Sequence, residues 1–167
     1  MNFKKLEKKD ISNADIKQML KGRVNVIPYH SIPLKPDFLG YFNKNGKRVP
    51  LVLLYEQFRN VGHFVVLQLK QDHIEYFDPL GFRIDAILKL WSEKTPHWLS
   101  MALDRSKLPV ISNHRRVQNF SMDTCGRHCV ARVLYNEEYP QIEDYVDFLL
   151  QHSDPDLFVT ELSQKVK

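Results

Sequence analysis

The chain is poor in cysteine and in long apolar segments. It has 167 residues, of which only two are cysteines. Two cysteines cannot form a disulfide framework, so they favour a reducing compartment and allow a cysteine to be retained for its reactivity. No apolar run approaches the roughly 18 residues that a transmembrane helix requires, and the charged first ten residues do not resemble a secretory signal. We therefore expect a soluble intracellular protein that does not associate with membranes.

Internal repeats, low-complexity tracts and linker-like segments are also missing from the sequence. The length fits a single domain over residues 1–167, and 43% hydrophobic residues are enough for a core that needs neither metal nor disulfide. The formal net charge is +4 and the sequence pI is near 9.0. Such a charge gives modest attraction to polyanions, so weak nucleic-acid binding and a merely solvated basic surface both stay open.

Hydrophobic patterning predicts strands in the middle of the chain and helices on either side. Runs rich in β-branched and aromatic residues predict strands at 49–55, 64–69, 73–77 and 108–111. Helical spacing of apolar residues predicts helices at 12–21, 84–91, 125–134, 140–151 and from 155 onward. The pattern predicts an α+β domain with a central mixed, largely antiparallel sheet and flanking helices.

Two neighbouring strands carry a histidine and a carboxylate that we expect at one end of the sheet. His63 begins one predicted strand, and Asp78 follows the next, after the short link 70–72. With that link, Asp78 pairs roughly opposite Phe64, which makes contact with His63 geometrically reasonable. A carboxylate there can fix the imidazole tautomer and favour the imidazolium.

A cysteine at the predicted start of an apolar helix is the candidate nucleophile. Cys125 follows Thr124, a plausible helix cap, and the helix dipole there favours a thiolate. Gln118, on the incoming loop, can stabilise an oxyanion together with the Cys125 backbone amide. We expect Gly126 to let a substrate approach the backbone closely. His63, Asp78, Gln118 and Cys125 thus supply the groups that acyl transfer through a thioester needs.

These blocks resemble the active-site motifs of the adenovirus maturation proteases, the adenain family. The similar segments are Gly62-His63-Phe64, Phe77-Asp78-Pro79-Leu80-Gly81-Phe82, Gln118 and Cys125-Gly126-Arg127-His128-Cys129. The order of histidine, acid, glutamine and cysteine matches the clan that also contains the SUMO and ubiquitin-like protein proteases. The seven-residue step from Gln118 to Cys125 is similar to the viral branch. Asp78 departs from adenain, which has glutamate there, and Phe64 replaces the usual tryptophan.

The resemblance implies the adenain and ubiquitin-like-protease fold, with the catalytic cysteine at a helix N-terminus. It implies a monomeric cysteine endopeptidase that cleaves viral capsid or core precursors, commonly at Gly-containing sites, during virion maturation. Such an enzyme acts in the host cytoplasm or nucleus and is packaged in the virion of a virophage, Maverick-type element or related DNA virus. Its catalysis requires no cofactor. Stimulation by DNA or a viral peptide stays open, although no cysteine matches the one that links the adenoviral peptide.

Two alternatives stay open. The first is a protease that acts on ubiquitin or a ubiquitin-like host modifier, because it would use the same four residues. The second is a non-enzymatic binding module stabilised by zinc at Cys125, His128 and Cys129. If the chain is a protease, we expect Phe64, Asp123 and Gly126 to border the substrate groove, and residues 1–45 to pack on the sheet and help to form it.

Overall fold

The computed structural model of the protein describes residues 2–91 and 94–167. Its strands, in chain order, are β1 (Asn25–Pro28), β2 (Asn43–Lys44), β3 (Lys47–Arg48), β4 (Leu51–Phe58), β5 (Val61–Leu69), β6 (Ile74–Phe77) and β7 (Val110–Ser112). Its α-helices are α1 (Phe3–Leu6), α2 (Asn13–Met19), α3 (Ala86–Trp91), α4 (Trp98–Ser106), α5 (Cys125–Leu134), α6 (Ile142–Leu150) and α7 (Pro155–Lys165). Two 3₁₀ helices, Tyr29–Leu34 and Phe38–Phe42, connect β1 to β2.

Five strands form one sheet in the order β1-β4-β5-β6-β7. The central pairings, β4 with β5 and β5 with β6, are antiparallel, whereas β1 and β7 join the two edges in parallel. Strands β2 and β3 form a separate antiparallel hairpin around the turn at Asn45 and Gly46. The structure confirms the predicted α+β class and mixed sheet, and it adds the parallel edges that local patterning did not reveal.

Helices cover both faces of the sheet. On one face, Val52, Phe64 and Val66 pack with residues of α2, α5, α6 and α7. On the other, Leu53, Val65 and Tyr76 pack with the 3₁₀ helices, α3 and α4. Residues 51–55 are all buried, as expected for a central strand that is covered on both sides. The two cores hold β5 and β6 rigidly, and these strands carry His63 and precede Asp78.

Polar side chains define where the helices begin. Ser12 and Asp15 form a capping box at the start of α2, with Ser12 Oγ accepting from the Asp15 amide at 3.1 Å. Asp154 caps α7 by accepting from the Leu157 amide at 3.0 Å. Thr124 occupies the N-cap position of α5, but its side chain does not cap the backbone and instead donates to Asp156. The predicted helix start is therefore confirmed, with a different role for the threonine hydroxyl.

The structure also contains elements that the pattern analysis missed, namely β1, α1, α4 and the 3₁₀ helices. The helix predicted from residue 155 onward is confirmed as α7, which has 11 residues. Among the described residues, no helix has the length and apolar character needed to cross a membrane.

Candidate active site

His63 and Asp78 form a buried pair at one end of the sheet. His63 Nε2 lies 2.8 Å from Asp78 Oδ1, and the two side chains are only 5% and 1% exposed. The same carboxylate oxygen accepts a hydrogen bond from the Leu80 amide at 2.8 Å. This arrangement fixes the imidazole orientation and leaves Nδ1 as the nitrogen that can face a nucleophile.

The register that brings the pair together differs by one residue from the predicted one. Val66 pairs with Phe77, so the continued register sets Asp78 opposite Val65 rather than Phe64. The Lys70 amide donates to the His73 carbonyl at 2.9 Å, which places His73 in the turn and lengthens the predicted three-residue link. Directly opposite residues share a face of the sheet, as do residues two apart along a strand. Asp78, opposite Val65, therefore falls on the same face of the sheet as His63.

Cys125 is the first residue of α5 and reaches the same end of the sheet. Its side chain is buried, and Sγ lies 3.5 Å from the Phe64 amide nitrogen, within reach of the weak hydrogen bond that sulfur accepts. His63 also interacts with Cys125, and this interaction is among the causes that raise the pKa of His63. The position at a helix N-terminus adds the favourable end of the helix dipole.

The charge state of His63 is set by opposing effects. Burial lowers the pKa of His63, but the Asp78 charge, the hydrogen bond to Asp78 and the contact with Cys125 outweigh it and raise the pKa from 6.5 to about 10. The imidazolium is therefore the form present at neutral pH. An imidazolium beside a thiol favours the thiolate–imidazolium pair, which is the reactive form of a cysteine nucleophile.

Gln118 lines the same cleft as His63 and Cys125. Its backbone amide donates to the Pro79 carbonyl at 3.0 Å, which couples its loop to the Asp78 loop. Its side-chain Nε2 donates to the Met122 carbonyl at 2.7 Å, so one of the two amide hydrogens is already engaged. The second amide hydrogen is the one with which Gln118 can stabilise an oxyanion.

An apolar wall and two carboxylates border the cleft. The wall includes Phe82, Leu90 and Phe120, with the Phe82 and Phe120 ring centroids 6.1 Å apart. Asp10 and Asp123 lie on the lining as well. Burial and the Asp123 charge raise the pKa of Asp10, against the opposing charge of Arg127. Asp123 and Asp10 thus line the same cleft as His63 and Cys125, and Asp10 brings the N-terminal segment into it.

Phe64 and Gly126, which were expected to border the groove, are buried and are not among the residues that line this cleft. A Cβ added to Gly126 would lie 2.7 Å from Ile11 Cγ1 and 3.2 Å from Phe64 Cδ2. Gly126 therefore serves close packing between α5, β5 and the N-terminal segment. The space that was expected to admit a substrate at this glycine is occupied on its Cβ side by the Ile11 side chain.

The three residues considered for zinc do not converge. His128 is fully buried, and its Nε2 lies 3.0 Å from Asp156 Oδ1, away from the cysteines. Cys125 and Cys129 are both free thiols, and burial raises the pKa of Cys129 well above its ordinary value. Within residues 2–91 and 94–167, no three His, Cys, Asp or Glu side chains form a metal-binding group.

Two buried polar residues that support the site were missed by the sequence analysis. The Asn113 side chain accepts from the Asp78 amide at 2.9 Å and donates to the Asp78 carbonyl at 2.7 Å. It therefore fixes the position of Asp78 through the Asp78 backbone. Asp156 binds Thr124 and the Asn119 amide on the loop that leads to Cys125. Neither residue has a local motif, because its partner lies more than 30 positions away.

No model of a known protein family matches the chain. It is similar to the uncharacterized protein V9 of Sputnik virophage, with 29% identity over 96% of this chain and 98% of that protein. Among solved structures, it resembles the central domain of the uncharacterized Lpg1148 protein from Legionella pneumophila, with a TM-score of 0.49 and 16% identity over 95% of this chain and 99% of that one. It also resembles the SUMO protease Ulp1 with its catalytic cysteine oxidized to a sulfinic acid, with a TM-score of 0.44 and 15% identity over 99% of this chain and 84% of that one. At these values neither solved structure assigns an activity to the chain.

Proposed function

We propose that the chain is a cysteine endopeptidase in which Cys125 is the nucleophile, His63 the base and Asp78 the residue that orients it. The observation that carries the proposal is the buried His63 side chain, which lies 2.8 Å from Asp78 Oδ1, interacts with Cys125 and lines the same cleft as Cys125. The arrangement fits an activated nucleophile with its orienting acid.

In the proposed reaction, the Cys125 thiolate attacks the carbonyl carbon of the scissile peptide bond. A C–S bond forms and the carbonyl electron pair moves to oxygen, where the Cys125 amide and the free Gln118 amide hydrogen stabilise the negative charge. When the tetrahedral intermediate collapses, the C–N bond breaks and the His63 imidazolium gives its proton to the leaving amine. Neutral His63 then takes a proton from the attacking water, a C–O bond forms, and the C–S bond breaks, which releases the carboxylic acid product and restores the Cys125 thiolate and the His63 imidazolium.

The shape of the cleft supports a small residue at the scissile bond. The nucleophile and the base are each about 5% exposed, which leaves a narrow approach to the thiolate. A glycine-containing site passes such an entrance with the least steric hindrance. The apolar wall with Leu90 and Phe120, which are 68% and 62% exposed, offers contacts to apolar side chains further along an extended peptide.

We further propose that the substrates are capsid or core precursors and that cleavage accompanies virion maturation. The support is the motif resemblance to adenovirus proteases together with the similarity to a virophage protein over nearly the whole of both chains. The alternative substrate, a ubiquitin-like modifier, would use the same catalytic residues. The substrate experiment below therefore decides between them.

Peptide pools that span the capsid and core proteins encoded with this chain test the proposal. The purified protein is incubated with each pool, and new termini are identified by mass spectrometry. We expect cleavage next to glycine by the wild type and by Cys129→Ala, and none by Cys125→Ala. Cleavage that persists in Cys125→Ala would contradict the nucleophile. Cleavage confined to fluorogenic ubiquitin or SUMO substrates would mean that the substrate is a host modifier and not a capsid or core precursor.

A further inference from the structure

A buried carboxylate in α7 binds both ends of the loop that carries the proposed oxyanion donor and the nucleophile. Asp156 Oδ2 accepts from the Asn119 backbone amide at 2.9 Å. Asp156 Oδ1 accepts from the Thr124 hydroxyl and lies 3.0 Å from His128 Nε2. Asn119 is the residue after Gln118, and Thr124 is the residue before Cys125. One side chain therefore links the two ends of the segment that sets the distance between donor and nucleophile.

The segment between these two ends is short and folded on itself. The Met122 amide donates to the Asn119 carbonyl at 3.1 Å, and the Asn119 side chain accepts from the Ser121 amide at the same distance. Gln118 Nε2 in turn donates to the Met122 carbonyl at 2.7 Å. A displacement of the Asn119 end therefore moves the Gln118 side chain relative to the start of α5.

The carboxylate is suited to this task because it is buried and charged. Asp156 is 4% exposed. Burial raises the pKa of Asp156, but the contacts with His128, Thr124 and the Asn119 amide outweigh burial and lower it, so the group is ionised at neutral pH. Hydrogen bonds to an ionised, buried acceptor are shorter and stronger than those to a neutral one. The α7 helix thereby acts on the site without lining the cleft.

We infer that Asp156 is a positioning residue for acyl transfer, which holds Gln118 and the amide end of α5 at the spacing that oxyanion stabilisation requires. The inference rests on the proposed function, because it gives Gln118 and Cys125 their roles. It predicts that Asp156 matters for reactions that pass through a tetrahedral oxyanion. It predicts no such dependence for reactions that need only the thiolate.

Two reagents separate these reactions on the intact chain. Iodoacetamide alkylates a thiolate by direct displacement of iodide and forms no oxyanion. p-Nitrophenyl acetate acylates the thiolate through a tetrahedral oxyanion, after which the C–O bond breaks and nitrophenolate leaves without needing a proton. We therefore propose to measure both rates at Cys125 by mass spectrometry for the wild type, Asp156→Asn and Asp154→Ala.

The two variants are matched. In Asp156→Asn, the charge is lost and an NH2 donor replaces one of the two oxygens, so the oxygen that accepts from the Asn119 amide and the oxygen that accepts from the Thr124 hydroxyl cannot both be kept. Asp154→Ala removes the same charge and the N-cap of the same helix, but Asp154 contacts neither end of the loop. If Asp156→Asn fails to fold by circular dichroism, Thr124→Val removes one of the two links and is measured in its place.

For Asp156→Asn we expect acylation to slow at least about tenfold, toward the loss seen when an oxyanion donor is removed, while alkylation stays within about twofold of the wild type. Asp154→Ala should leave the ratio of the two rates unchanged. Equal slowing of both reactions, or the same change in ratio in Asp154→Ala, would reduce Asp156 to a stabilising residue of α7. If wild-type Cys125 reacts with neither reagent faster than an ordinary thiol, the proposed function itself is wrong, and the inference fails with it.

Discussion

Replacing Asp78 with asparagine removes the charge that holds the His63 imidazolium. Two opposite charges about 4 Å apart interact by about 4 kcal/mol at an effective dielectric constant of about 20, which corresponds to about three pKa units. Loss of a negative neighbour destabilises the imidazolium, and burial continues to oppose it. Asp78→Asn should therefore lower the pKa of His63 from about 10 to about 7.

An NMR titration of ¹³C-labelled histidine rings measures this change, with His63→Gln to assign the His63 signal among seven histidines. We expect the wild-type signal to stay at its imidazolium position through neutral pH and to move only near pH 10, whereas in Asp78→Asn it moves near pH 7. Asp72→Asn is the matched control, because Asp72 pairs with His73 at 2.7 Å on the surface. It should leave the His63 titration unchanged. Identical His63 titrations in the wild type and Asp78→Asn would refute the assignment of Asp78 as the orienting acid.

Three further substitutions test the framework around the site. Glu75→Gln leaves the buried Arg132 guanidinium without the carboxylate that it contacts twice at 2.7 Å. Urea denaturation should show that the free energy of unfolding falls by about 3–5 kcal/mol. A fall of less than about 1 kcal/mol would contradict the role of Glu75 as the partner of Arg132. Gly62→Ala places a Cβ 1.8 Å from the Tyr55 carbonyl oxygen, so β4 and β5 must separate. We expect most of the alkylation of Cys125 to be lost. Alkylation of Cys125 at the wild-type rate would contradict this prediction, because it would show that the two strands accommodate the methyl group. Cys129→Ala should cost about 1 kcal/mol of unfolding free energy and leave the alkylation rate of the other cysteine within about twofold; a large fall in that rate would give Cys129 a part in the site.

The pairing of base and acid could be predicted because it depends on local chain direction. A short turn returns β6 beside β5, so Asp78 comes to the same end of the sheet as His63, and the observed register sets the two on one face. The one-residue error in register arose at His73, which was predicted to begin the strand but closes the turn by accepting from the Lys70 amide through its carbonyl. Turn geometry sets the register, and its length cannot be read from β propensity alone.

Burial depth could not be predicted in the same way. Gly126 and Phe64 look like cleft residues from their motifs, but both are buried, and Ile11, more than 100 positions before Gly126, packs against that glycine. Asp156 has no local motif, because its contacts with the loop span more than 30 residues. Long-range polar contacts of this kind leave no periodic trace in a single sequence.

The missed helix α4 is a different case. Trp98, Leu99, Ala102 and Leu103 follow helical spacing, and the last three are buried in the structure. This segment therefore carries a helical pattern that is visible in the sequence alone. Strand β1, in contrast, is four residues long, and it reaches β4 in parallel through a connection without regular hydrophobic periodicity.

The proposal that Cys125 is an activated nucleophile is tested most directly by competition between the two cysteines of the chain. The native protein is treated with iodoacetamide at pH 7, and the extent of labelling at each cysteine is followed by mass spectrometry over time. We expect fast labelling confined to Cys125, its loss in His63→Ala, and no labelling of Cys129 until the protein is unfolded, because Cys129 is fully buried and its pKa is raised. Slow labelling of Cys125 at the rate of an ordinary thiol, unchanged in His63→Ala, would contradict the proposal.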